Sequence, residues 1–210
     1  MVDGKLQDHS TEEKIMDAAI KVFTQKGLAG ARMQEIADEA GVNKAMVHYY
    51  YRSKQNLFEN IFKKKVKELF RAISIILAAD KSFEDKVRSF IETEIEVISQ
   101  FPTLPLFVLN EAGKNPAILE EVFEEGGPKQ MIGLFKMMVE HEVNQGNIRT
   151  ISFEELLINI MSLCIYPFVA RPILQFVLDK DDLDYKDMIE SRKQTIADLI
   201  INDLFIKRDQ

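Results

Sequence analysis

Between Leu57 and Leu77 nine apolar residues, Leu57, Phe58, Ile61, Phe62, Val66, Leu69, Phe70, Ile73 and Leu77, recur at intervals of one, three and four. On an α-helix that spacing gathers them into one stripe, whereas a strand would bury every second residue. Strand-like alternation is absent from the rest of the chain as well, so an all-α fold is expected. Ser53 stands where an N-cap would open this helix. About 25 residues of continuous amphipathic helix exceed the usual globular length, and such an element is expected to join two bodies.

Start and stop signals divide the remainder. Ser10 with Glu13 reads as a capping box opening a helix at about Thr11, and Gly27 ends it. Ile15, Ala18, Ala19, Val22 and Phe23 form its inner face. Short helices are expected at about 33–40 and 44–50. After the long helix, Ser82 with Asp85 opens one that reaches about Gln100. Pro102 and Pro105 break the chain, and short helices are expected near 104–112 and 116–125. Gly126-Gly127-Pro128 makes a turn, and a helix from Pro128 runs to about Gln145, stopped by Gly146. Ser152 with Glu155 caps an almost wholly apolar segment to Leu178, with kinks expected at Pro167 and Pro172. Asp179–Asp184 reads as an acidic loop, and a last helix is expected from about Tyr185 to Phe205. The domains implied are 1–53 and 54–210, with 54–78 connecting them: an N-terminal three-helix helix-turn-helix domain and a larger helical domain for ligand binding and dimerisation.

Charge sharpens this division. The net charge is −7. Residues 1–65 hold 11 Lys and Arg against 9 Asp and Glu, and residues 66–210 hold 16 against 25. Within 43–65 the ratio is 6 to 1. A basic front on an acidic body suits a protein that grips a polyanion with one end. Met1–Ser10 lacks an apolar leader stretch, and no run of about 18 apolar residues occurs, so a cytoplasmic protein without a membrane span is expected. Cys164 is the one cysteine, which excludes an intramolecular disulfide and a paired-cysteine metal site. No cofactor is expected.

The stretch that carries chemistry is Met33–Leu57. Ala37 is small where a second helix crosses, Gly41 permits a left-handed stop, and Asn43 is a strong N-cap. Val42 and Val47 occupy the positions of a hydrophobic staple. Val47 and Tyr50 are expected to point inward, leaving Lys44, Ala45, Met46, His48 and Tyr49 outward. Lys and His donate to base acceptors or phosphates, and Ala or Met meets a thymine methyl. Tyr49, Lys54, Gln34 and Arg32 complete the set as register-setting contacts, with Asn43 at the helix start. Double-stranded DNA is the expected partner. A tight helical hairpin with a solvated basic face is the bland alternative.

Ile36-Ala37, Ala40-Gly41-Val42-Asn43, Tyr49-Tyr50-Tyr51 and Ser53-Lys54-Gln55-Asn56-Leu57-Phe58 together resemble the DNA-binding domain of the TetR family of transcriptional regulators. The resemblance covers residues 10–58. It implies a homodimer that dimerises through its last two long helices and binds an effector among its middle helices. Five positions depart from the family's habits. Ala31 and Arg32 stand where Thr or Ser often caps helix two, Asn43 replaces a frequent Ser, Ala45 a frequent Gly and His48 a frequent Tyr, so base preference does not transfer.

In the body, Phe90, Glu94, Phe101, Phe107, Phe123, Met131, Phe135, Met138, Met161, Cys164 and Phe168 are candidates to line a cavity for a small, mainly apolar effector. Phe and Met stripes more often are simply core. Glu94 is a polar residue among apolar neighbours and is the candidate anchor. His141 between Glu140 and Glu142 lacks the partners a metal site needs. Cys164 has no histidine to activate it as a nucleophile, and an enzyme is not expected. The function expected is a repressor released from a palindromic operator by that effector. The alternative is a DNA-bound dimer controlled by a protein partner without a small ligand.

Overall fold

The computed structural model describes residues 3–112, 120 and 128–205, with side chains from Thr11 onward except those of Phe107, Glu111 and Ala112. Among these residues the backbone forms ten helices and no strand: α1 Asp3–Gly30, α2 Met33–Ala40, α3 Lys44–Tyr51, α4 Lys54–Ala78, α5 Phe83–Gln100, α6 Leu104–Ala112, α7 Pro128–Asn144, α8 Phe153–Val169, α9 Arg171–Leu178 and α10 Asp182–Leu204. The helix expected near 116–125 and the Gly126-Gly127 turn lie outside the described residues.

Three expectations need correction. The first helix begins at Asp3 and passes through Ser10, so Ser10 is not its cap. No proline interrupts residues 3–10, and a polar segment can simply continue a helix as solvated turns. Gly27 does break it, with φ 65°. The acidic loop is shorter than read: Asp181 Oδ1 accepts from the amides of Leu183 and Asp184 at 2.9 and 2.8 Å, and Asp182 and Asp184 sit in the first turn. Carboxylates there complement the positive end of the helix dipole. The apolar stretch 153–178 is two helices bent by 74° rather than one kinked rod. Pro167, inside α8, has no N–H to continue the ladder, and Pro172 occupies the first turn of α9, where none is needed.

Other caps follow the sequence. Ser53 Oγ accepts from Asn56, Ser82 Oγ from Asp85 and Ser152 Oγ from Glu155, each at 3.1 Å. Removing such a cap typically costs about 1 kcal/mol.

The described residues pack into two compact units. One runs up to Val66 and includes Phe101–Thr103; the other holds Lys67–Gln100 and the chain from Leu104. The packing boundary therefore falls within α4. Leu57, Phe58, Ile61 and Phe62 are buried in the first unit, where the Phe58 ring lies 4.9 Å from Phe23 and 5.2 Å from Phe101. Phe101 thus belongs to this core and not to a cavity in the body. The second unit buries Ile73, Leu77, Phe90, Ile95, Phe135, Leu156, Ile160, Tyr185, Ile196 and Ile200 in one cluster. Arg88 meets Asp198 at 2.9 Å, tying α5 to α10, and Arg149 meets Asp203 at 2.6 Å. Among the described residues no single helix is long and apolar enough to cross a membrane.

Candidate DNA interface and buried core site

α2 and α3 are held at a fixed angle by local chemistry. Gly41 adopts φ 67°, and its amide and that of Val42 close α2 on the carbonyls of Asp38 and Ala37. Asn43 Oδ1 then accepts from the amide of Met46 at 2.8 Å and opens α3. At the start of α2 the Glu35 carboxylate accepts from the Arg32 amide at 3.2 Å. An arginine side chain has no acceptor to return the bond, so this is half a capping box. Glu35 also meets Lys26 at 2.8 Å, and that partner holds its carboxyl below the usual range. Lys21 meets Glu39 at 3.0 Å in the same way, binding α1 to α2.

The inner face of α3 is Val47 and Tyr51, not Val47 and Tyr50. Residues four apart share a helix face, so Tyr51 goes in with Val47 while Tyr50 stays half-buried. The Tyr51 hydroxyl donates to Glu12 Oε1 at 3.0 Å, and burial, with the nearby carboxylate, pushes the phenol's pKa up. This strut to α1 was not read from the sequence, although the Val47–Tyr51 spacing contained the signal.

The outer face carries Lys44, Ala45, His48 and Tyr49, all exposed, with the Tyr49 side chain 81% accessible. Met46 is half-buried and contributes less than expected. His48 Nδ1 lies 3.0 Å from the Arg52 carbonyl. A carbonyl only accepts, so Nδ1 carries the hydrogen and Nε2 is the acceptor of the neutral ring. Arg32 and Gln34 are exposed, and Gln34 is engaged with Asp38 at 2.8 Å. Lys54 has other work than a phosphate contact. Its ammonium donates to the carbonyls of Ala29 and Ala31 at 2.9 and 3.1 Å, latching the turn before α2. Two of its three donors are taken, leaving at most one for DNA.

In the second unit the proposed lining residues divide. Phe90, Glu94, Met131, Phe135 and Cys164 are buried together in the core, with Met138 and Phe168 half-buried against it. Met161 is 42% exposed and lies off that lining. It sits three residues before Cys164 and one after Ile160, and α8 turns those two inward instead. The Phe107 side chain and all of Phe123 lie outside the described residues. Glu94 is the one buried charged residue among those described, at 4% exposure. The Cys164 thiol hydrogen-bonds its carboxyl, while Oε2 is buried without a partner among the described residues. Burial pushes the Glu94 pKa up to about 7, with the thiol bond opposing, and pushes the Cys164 thiol up as well. Arg192 donates to the Leu163 carbonyl at 3.2 Å, and its Nε is a second buried atom without a partner. Nothing in the sequence had marked Arg192.

An outward basic and aromatic helix, braced from behind by a packed three-helix unit, defines a helix-turn-helix DNA-binding protein. Residues 15–61 match the family described as bacterial regulatory proteins, tetR family. The chain is 25% identical over 175 residues to the probable HTH-type transcriptional regulator YttP of Bacillus subtilis, covering 80% of this chain and 82% of that protein. Over 71 residues it is 39% identical to the HTH-type transcriptional repressor SCO4008 of Streptomyces coelicolor, 34% of this chain and 36% of the other. A solved structure of FadR from Bacillus subtilis in complex with stearoyl-CoA shares the fold, with TM-score 0.62 and 14% identity over 91% of this chain and 98% of that one.

Proposed function

We propose that the chain is a homodimeric transcriptional repressor, released from a palindromic operator when a small, mainly apolar effector enters its C-terminal domain. The relatives it resembles are transcriptional regulators of the helix-turn-helix type. The observation that carries the finer reading is the split of α3, with Val47 and Tyr51 locked inside and Lys44, Ala45, His48 and Tyr49 free to enter a major groove. The unit that runs to Val66 is the reading head and the unit from Lys67 the sensing and dimerising body, and α4 runs unbroken from Lys54 to Ala78 through both. A change in the pose of α4 imposed in the body is thereby transmitted to the head. Half-sites lie about 34 Å apart, so a shift of a few ångströms spoils simultaneous docking.

Dimerisation is supported by apolar side chains that the monomer leaves in water. Ile158, Met161 and Tyr166 on α8, Ile173, Phe176 and Val177 on α9 and Leu199 on α10 are all exposed, Phe176 at 88%. The spacings 158, 161, 166 and 173, 176, 177 each fall on one helix face. A second copy of the chain is the occupant that fits, since two-fold pairing lets one patch cover itself. The mainly apolar effector is supported by the Phe and Met side chains of the core, and FadR, which shares the fold, was solved in complex with stearoyl-CoA.

The deciding experiment selects DNA from a random pool and then titrates the enriched sequence at two salt concentrations. A palindrome should emerge, and affinity should fall steeply with salt as phosphate contacts release counterions. Enrichment of no palindrome, or salt-independent binding, refutes the reading.

A further inference from the structure

The buried core of the second unit is built mainly from Ile, Leu, Phe and Val, and Glu94 stands in it with one carboxylate oxygen lacking a partner among the described residues. An unsatisfied buried acceptor is expensive, and an ionised one more so. Only the Cys164 thiol relieves it, and no cation among the described residues bears on it. The neighbours one turn away are aromatic. Phe90 precedes Glu94 on the same face of α5, and the Phe90 ring lies 5.6 Å from Phe135, which in turn lies 5.7 Å from Phe153. A lone carboxylate in a phenylalanine-rich core is a combination that favours a charged nitrogen with an apolar body: the carboxylate takes the N–H donors, and ring faces attract the cation.

We infer that the effector class is a hydrophobic amine or other organic ammonium compound, whose protonated nitrogen pairs with Glu94 Oε2 while its apolar body lies against Phe90 and Phe135. This deepens the reading of an apolar effector and rests on it. The negative charge balance of residues 66–210, 16 basic to 25 acidic, favours the same sign of ligand. Two titratable or charged groups face this carboxyl's surroundings from the packed helices. They are the Cys164 thiol on α8 and, acting on that thiol, the Arg192 guanidinium on α10. Neither neutralises Glu94.

The pairing fixes a pH dependence. The empty site holds Glu94 with a pKa of about 7, half protonated at neutral pH. An ammonium ligand needs the carboxylate, so binding expels the remaining proton. Affinity therefore rises with pH between 6 and 8, by about tenfold, and levels off above.

The test uses the intact dimer and three probes that share one body: 4-phenylbutylamine, 4-phenylbutanol and 4-phenylbutyrate. Calorimetric titration of each at pH 6, 7 and 8, in two buffers of different ionisation enthalpy, reads affinity and proton release together. The amine should bind at least tenfold more tightly than the alcohol or the carboxylate, release protons near pH 7, and strengthen with pH. E94Q should bind amine and alcohol alike with no pH slope. Equal binding of the three heads by the unmodified protein, binding of none of them, or a pH slope that survives in E94Q overturns the inference. The wild-type comparison stands even if E94Q fails to fold. Operator binding measured on the same samples separates the two claims. Intact DNA binding without amine binding refutes this inference alone. Amine binding at Glu94 that leaves operator affinity unchanged upholds the site and refutes release by effector.

Discussion

Tyr51 and Glu94 are both polar residues in buried surroundings, and they are treated in opposite ways. Tyr51, in the first unit, has its hydroxyl on Glu12. Glu94, in the second, has an oxygen with no partner among the described residues. The same contrast holds on the outside. The surface of α3 offers groups that water satisfies until DNA arrives, whereas α9 leaves Phe176 almost fully in solvent. The first unit leaves only a neutral hydroxyl, Thr103 Oγ1, unpartnered among its described buried side-chain atoms, and otherwise has its polyanion to find. The second is incomplete twice over, lacking cover for an apolar face and a partner for a buried acid. Incompleteness of that kind is where regulation enters, because whatever fills the gap shifts an equilibrium by its differential affinity.

The contrast breaks most visibly at the apolar face. Phe176→Asp should leave the monomer folded, since the residue is almost fully exposed in it. Burying two new charges per dimer costs several kcal/mol, so the dimer should dissociate by orders of magnitude. Light scattering at micromolar concentration should show monomer, with operator binding lost in parallel. Ile160→Glu is the control that separates folding from assembly. Ile160 is fully buried in the single chain, so that variant should unfold rather than dissociate. A Phe176→Asp protein that remains dimeric removes α9 from the interface.

The orphan acid gives the next largest effect. The Glu94 pKa is raised on folding from 4.5 to about 7. The folded state therefore binds the proton more tightly than the unfolded state, and the contribution is present in full below pH 4.5 and lost as pH rises through about 7. The unfolding free energy of the wild type should fall relative to E94Q between pH 5 and 8, by an amount on the order of 2–3 kcal/mol. Paired chemical denaturation curves measure it. Parallel pH profiles would mean that Glu94 is solvated or partnered in solution.

On DNA, Lys44→Ala and Tyr49→Ala should each weaken operator binding by about 1–2 kcal/mol, roughly tenfold or somewhat more, without lowering thermal stability. Both side chains are exposed on α3, so a fall in the melting temperature would contradict the split between inner and outer faces.

These sites differ in how far the sequence alone discloses them. Helix identities, the caps at Asn43, Ser53, Ser82 and Ser152, and the turn at Gly41 are local, and local chemistry writes itself into spacing and residue type. The resemblance at Ile36-Ala37 and Ala40–Asn43 is of the same sort. What escaped reading was long-range. Tyr51 bonds Glu12 across 39 positions and Lys54 reaches carbonyls more than 20 positions away, and no spacing rule encodes such partners. The start at Asp3 and the cap at Asp181 were misplaced because apolar periodicity marks where a helix is buried, not where it begins. Glu94 was legible as odd, yet only packing shows that one of its oxygens is alone. Met161 was misassigned because a wholly apolar helix hides which face is inward until its neighbours are placed.

The smallest predicted effect concerns Lys54, where two roles make different demands on one ammonium. As a phosphate ligand it contributes a released counterion, and removing it lowers the slope of log affinity against log salt by about one. As a latch it holds the carbonyls of Ala29 and Ala31, and removing it loosens the turn that positions α2. Lys54→Met keeps the apolar stem and removes the charge. With both bonds near the surface and two of the three donors already used, the latch should dominate. Stability should fall by about 0.5–1.5 kcal/mol and operator affinity by less than tenfold, with the salt slope nearly unchanged. Thermal denaturation and a salt titration on the same variant separate the two. A slope reduced by a full unit at unaltered stability would return Lys54 to the DNA. The carbonyls of Ala29 and Ala31 would then be left to water.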